Sequence, residues 1–105
     1  MIKISSYKNA EGNIIGFRSF GHAGYAQSGQ DIVCAAVSVL IINTVNSIEH
    51  FTSDTFHIKE DEEKGEIDFR IVSKLSNESS LLLNSLFLGL KGIKEDYGQE
   101  YIKLI

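Results

Sequence analysis

Residues 32–45 run through aliphatic and alanine side chains, interrupted only by Cys34, Ser38, Asn43 and Thr44. No other stretch of the chain restricts the fold as much. Apolar groups around most of a helix's circumference must be covered on several sides, so the run predicts a core helix on which the remaining elements are assembled. It is shorter than the roughly 20 residues that cross a bilayer, and the chain is therefore expected to have no membrane partner. Asp31 stands immediately before it as a candidate N-cap. Further along, Asn43, Asn46, Ser47, Glu49 and His50 break the apolar coat and mark a solvent-facing side, carrying the helix to about residue 51.

The flanking patterns fit around such a helix. Residues 1–8 and 13–20 alternate loosely between apolar and polar, with Asn9, Ala10, Glu11 and Gly12 between them, and predict a hairpin. Residues 56–59 and 66–72 predict a second hairpin, whose turn is the charged run 60–65. Ser76 or Asn77 is placed to cap a second helix bearing Leu81, Leu82, Leu83, Leu86, Phe87, Leu90 and Ile93 at helical spacing. Gly89 and Gly92 are expected to weaken the end of that helix, Gly98 to stop it, and residues 99–105 to form a last strand. The expected architecture is α+β, a two-layer sandwich in which two helices cover one face of a mostly antiparallel five-stranded sheet, in the order β-β-α-β-β-α-β. With 105 residues and no proline, low-complexity tract or repeat, residues 1–105 read as a single domain.

Composition removes several classes of function. A formal net charge of −4 argues against direct binding of nucleic acid through its phosphates, which needs a Lys/Arg-rich face. The one cysteine excludes an internal disulfide, and no basic and apolar leader opens the chain, so a reducing cytoplasm is expected. One cysteine and three scattered histidines offer no ligand pair at close spacing, which predicts no metal. The glycines of the loop at residues 21–30 are not followed by Lys-Ser or Lys-Thr and match neither nucleotide fingerprint; no cofactor is expected.

Cys34 is the residue that invites chemistry. It lies three positions after the presumed cap, where the positive end of the helix dipole favours a thiolate; the other reading is a buried cysteine packing as a small hydrophobe. His22, in the loop before the helix, is the candidate base that exchanges a proton with it, or else a turn residue between glycines. Asp31 has two readings as well, third member of a triad or helix cap. Ser38, one turn after Cys34, either supports the site or bonds back to the preceding turn. Gly21, Gly24 and Gly29 permit close approach to an extended peptide and motion of the segment carrying His22, or make a plain connector. His50 and His57 read as structural or exposed, and the acidic run as a solvated turn. If the thiol is the nucleophile, N–H groups of the first helical turn, including that of Cys34, are candidate donors to the oxyanion.

Residues 21–38, GHAGYAQSGQDIVCAAVS, resemble the signature of the ribosomal-processing cysteine proteases of Gram-positive and related bacteria. The matching positions are Gly21, His22, Gly24, Gly29, Asp31, Ile32, Val33, Cys34, Ala35 and Ala36. The resemblance implies a homodimeric cysteine endopeptidase with Cys34 and His22 as catalytic residues. Its implied substrate is a ribosomal protein precursor, protein twenty-seven of the large subunit, whose N-terminal extension it removes after a Phe-Phe-like pair. The competing class is a non-catalytic ribosome-assembly module that binds a partner through its sheet edge and keeps Cys34 inert.

Overall fold

The computed structural model describes residues 1–27 and 29–105; Ser28 of the glycine loop lies outside them. Strands β1 (Ile2–Lys8) and β2 (Ile14–Phe20) form the opening antiparallel hairpin. Asn9 closes its turn by accepting, on Oδ1, the N–H groups of Glu11 at 3.1 Å and Asn13 at 2.9 Å, the short side chain standing in for a backbone carbonyl. Helix α1 (Ile32–Phe51) follows, then β3 (Phe56–Asp61), β4 (Glu66–Ile71), α2 (Asn77–Tyr97) and β5 (Ile102–Leu104). The element order is the one the sequence patterns predict.

Within the five-stranded sheet the order is β3-β4-β2-β1-β5. Tight hairpins make β1·β2 and β3·β4 antiparallel, and β2 pairs antiparallel with β4 across the middle. The final strand reaches its place only after α2 has crossed the sheet, and it pairs parallel to β1, matching Ile2 with Ile102 and Ile4 with Leu104. The sheet is thus mixed, with antiparallel pairs in the majority.

Ile2, Ile4, Phe17, Phe69, Ile71 and Ile102 of the sheet join Val33, Val37, Ile41, Ile48, Leu83, Leu86 and Leu90 of the helices in one buried core. Phe69 anchors it, with the Phe17 ring stacked 5.4 Å away and the Phe56 ring at 4.9 Å. Counted as a helix rather than as an apolar run, α1 is long and apolar enough to cross a bilayer by composition, with a mean hydropathy of 1.8. Its Val33, Val37, Ile41, Thr44, Val45 and Ile48 are instead buried inside this fold.

Two local expectations change. Gly89 and Gly92 do not end α2, which continues through both to Tyr97. At Gly89 the helices come so close that a Cβ would lie 2.8 Å from Leu40 Cδ1. The glycine gives up about 1 kcal/mol of helix propensity for close packing. Strand β3 also runs two residues further than the 56–59 expected, so Glu60 and Asp61 belong to a strand and the turn shrinks to residues 62–65. The last strand is shorter than 99–105, because residues 98–101 still turn out of α2, Tyr101 N–H reaching Gly98 O at 3.5 Å. Ser76, not Asn77, caps α2 by accepting from Ser79 N–H at 3.1 Å.

Candidate active site

The start of α1 is organised by the Asp31 carboxylate. Oδ1 accepts the N–H of Cys34 at 3.0 Å, as an N-cap does. Oδ2 turns the other way and accepts from Tyr25 N–H at 3.0 Å and Ala26 N–H at 3.4 Å. One side chain therefore ends the loop and begins the helix. The Tyr25 ring meets Tyr101 and Tyr97 edge-on, with centroids 5.2 and 5.8 Å away, which docks the loop against the C-terminal segment. Among the described residues, the hydrogen bonds of Asp31 go to the helix cap, the loop and the Cys34 side chain, and none is made to the imidazole of His22.

His22 reaches the helix start through its successor: Ala23 N–H donates to Cys34 Sγ at 3.2 Å, and Ala23 itself is buried. Imidazole and thiol then share the walls of two clefts. The first, of about 290 Å³, has Ile2, Val37, Ile41 and Ile67 among its apolar lining, with Gly21 and Gly65 beside them. The carboxylate-bearing residues Glu60, Asp61, Glu62 and Glu66 line it from the second hairpin. The second cleft, of about 450 Å³, lies under the glycine loop and is lined by Gly24, Ala26, Gly29, Asp31 and Ala35. Among the described residues, His22, Cys34 and Ser38 are common to both. The back-bond expected of a helical hydroxyl is made by Thr44, to Leu40 O at 2.7 Å, while Ser38 is exposed at the clefts. His50 and His57 are exposed and line neither cleft.

Two sequence expectations about the sulfur are corrected by packing. Burial pushes the Cys34 thiol above its ordinary pKa of 9.0; the Ala23 N–H opposes this and the neighbouring Asp31 carboxylate reinforces it. The helix dipole alone favours the opposite direction, whereas the partial burial of the sulfur and the nearby capping anion both favour the protonated form. The Cys34 N–H, expected to be free for an oxyanion, is already given to Asp31. Sequence reasoning also missed the wall supplied by the second hairpin, because Glu60 and Asp61 sat inside a run that reads as a solvated turn.

The Asp31 carboxyl is held below its ordinary 3.8: burial works against this, but the N–H groups of Cys34, Ala26 and Tyr25 outweigh it. A depressed folded-state pKa contributes stability in full above the unfolded value, and that contribution is lost as pH falls through the folded value. Asp31→Asn keeps one acceptor where two are used. We expect it to cost about 1 kcal/mol at pH 7 and the difference to vanish as the pH drops below 3.8, read by thermal melts of both proteins. A difference that persists unchanged at low pH contradicts the assignment.

A thiol and an imidazole lining the same two clefts are the nucleophile and base that a cysteine protease uses. Comparison with known proteins leads to the same class. The family model described as Cysteine protease Prp matches residues 1–103, and the chain belongs to that family. It is 32% identical over 99 residues to the ribosomal processing cysteine protease Prp of Staphylococcus aureus, covering 94% of this chain and 93% of that one. To the Bacillus subtilis protein of the same name it is 28% identical over 101 residues, covering 92% and 90% of the two chains. The S. aureus protease in complex with a covalently linked product peptide superposes with a TM-score of 0.92 at 34% identity, over 99% of this chain and 97% of that one. With a substrate peptide it superposes at 0.87 and 32% identity, over 100% and 98% of the chains.

Proposed function

We propose that this protease removes the N-terminal extension of a ribosomal protein precursor, protein twenty-seven of the large subunit, cutting after a Phe-Phe-like pair in the cytoplasm. The observation that carries the reading is that, among the described residues, His22, Cys34 and Ser38 line both clefts, so a peptide threaded through them crosses the thiol. The apolar lining at Val37, Ile41 and Ile67 suits aromatic side chains on the acyl side. The ribosomal substrate class is that of the relatives' names.

In the mechanism, His22 accepts the thiol proton as the sulfur attacks the scissile carbonyl carbon. Burial, reinforced by the neighbouring Asp31 carboxylate, raises the thiol pKa, which gives the proton acceptor at His22 its task. Ala23 N–H, which donates to the sulfur at rest, is a main-chain donor that can turn to the developing oxyanion, and losing one such donor costs roughly 3 kcal/mol. Collapse of the tetrahedral intermediate breaks the C–N bond, and the imidazolium protonates the leaving amine. Water, deprotonated by the same imidazole, then hydrolyses the thioester.

The active form is read as a homodimer. Val39, Ile42 and Ile32 of α1 are 65%, 53% and 49% exposed, and a shallow apolar groove between the helices is lined by Ala35, Ala36, Val39, Leu40, Gly89 and Ile93. The test is mass spectrometry of ribosomal protein precursors incubated with the wild-type and Cys34→Ala chains. We expect one new N-terminus, after an aromatic pair, with the wild type only; native spectra of the same preparation read the dimer. Cleavage elsewhere, or in both samples, rejects the substrate.

A further inference from the structure

The wall opposite the thiol is made by the second hairpin, and its turn contains one residue without a side chain. Gly65 follows Glu62, Glu63 and Lys64 and accounts for the end of that turn, its N–H bonding Glu62 O at 3.2 Å and its φ standing at +62°. A turn glycine with positive φ needs no further explanation in itself. What lies against it does. A Cβ built on Gly65 would sit 2.7 Å from the carbonyl oxygen of Gly21, 3.0 Å from Cε1 of His22 and 3.1 Å from Nε2 of His22. The imidazole edge occupies the space that a side chain at residue 65 would need.

We infer that Gly65 is a positioning residue for the protease reaction: the β3–β4 turn is the seat on which the His22 ring rests. Residues 21–23 are held from three sides, one of them the Met1 ammonium, which donates to the His22 carbonyl oxygen. On the second, Ala23 N–H is bonded to Cys34 Sγ; on the third, Gly21 O and the His22 ring lie against Gly65. His22 itself is exposed, so little else confines its ring. A methylene at residue 65 displaces the ring or the Gly21 carbonyl by several tenths of an ångström, and a proton acceptor in a two-atom transfer loses rate steeply with such displacement. The inference rests on His22 as that acceptor.

Gly12 supplies the control, because it too is a hairpin-turn glycine with positive φ, at +84°, and a Cβ there meets nothing within 4 Å. Asparagine tolerates the left-handed region better than other side chains, so Gly65→Asn and Gly12→Asn should both fold and carry similar backbone strain. With a peptide substrate cut after an aromatic pair, Gly65→Asn is expected to lower kcat about 100-fold with KM within about twofold, and Gly12→Asn to change neither. Melting curves verify that the two variants are folded, and His22→Ala is measured beside them. A rise in KM with kcat intact means the new side chain merely narrows the cleft and overturns the inference, as does a Gly65→Asn variant that behaves like Gly12→Asn. Should His22→Ala retain its turnover, the assignment of His22 fails instead. If Gly65→Asn does not fold, the same comparison is made with Gly65→Ala and Gly12→Ala, and equal kcat values in that pair also overturn it.

Discussion

Replacing Cys34 with alanine is expected to eliminate peptide cleavage, a loss of about 10⁴-fold or more, while leaving the melting temperature nearly unchanged. The side chain is only partly buried and packs at the edge of the core, so removing its sulfur leaves no sealed cavity. It does remove the thiol that, among the described residues, lines both clefts together with His22. His22→Ala is expected to cost between about 10² and 10⁴ in kcat, the usual contribution of a positioned base. Because the two groups act as a unit, the double variant should be no slower than Cys34→Ala alone. Steady-state kinetics on a peptide bearing an aromatic pair measure all three. Turnover that survives in Cys34→Ala rejects the nucleophile, and losses that multiply in the double variant reject the coupling between thiol and base.

Gly16→Ala is expected to be the most damaging change to the fold. Gly16 lies in β2 opposite Arg70 of β4, in the pairing that joins the two hairpins. A Cβ there would run into the carbonyl oxygen of Phe69 and approach Arg70 Cα to 2.8 Å, all of it backbone that cannot rotate aside. The strands must part or the residue must twist out of the ladder, and either disturbs Phe69, which is fully buried between Phe17 and Phe56. Overpacking of this kind costs about 3 kcal/mol, which in a domain of this size lowers the melting temperature by roughly 15 °C. A denaturant titration reads it directly. A variant with an unchanged midpoint would show that β2 and β4 are not held as close as described.

Both residues illustrate how legibility depends on range. Asp31 as cap, Ser76 as cap and Gly98 as stop could be read from the chain because each acts on groups within a few residues of itself. Gly16 carries no such signal, since a glycine inside an alternating strand pattern looks the same whether or not another backbone presses on it. Gly65 was readable as a turn residue, and its contact with His22 was not, because that contact joins segments distant in sequence. The acidic run misled for a related reason. Charge density marks residues that avoid the core, but it does not say whether they face open solvent or the mouth of a cleft.

What the sequence by itself determined is the order of elements, their caps and stops, and the motif of residues 21–38 that identifies the family. These follow from periodicity and hydrogen bonding over a turn or two of chain. Only the tertiary structure decided that β5 pairs parallel to β1, that the second hairpin backs the imidazole, and that burial raises the Cys34 thiol pKa while its own N–H is committed to Asp31. Strand order, burial of a sulfur and the clearance around a ring are set by contacts between remote segments, and their energies are not written in any local window of side chains.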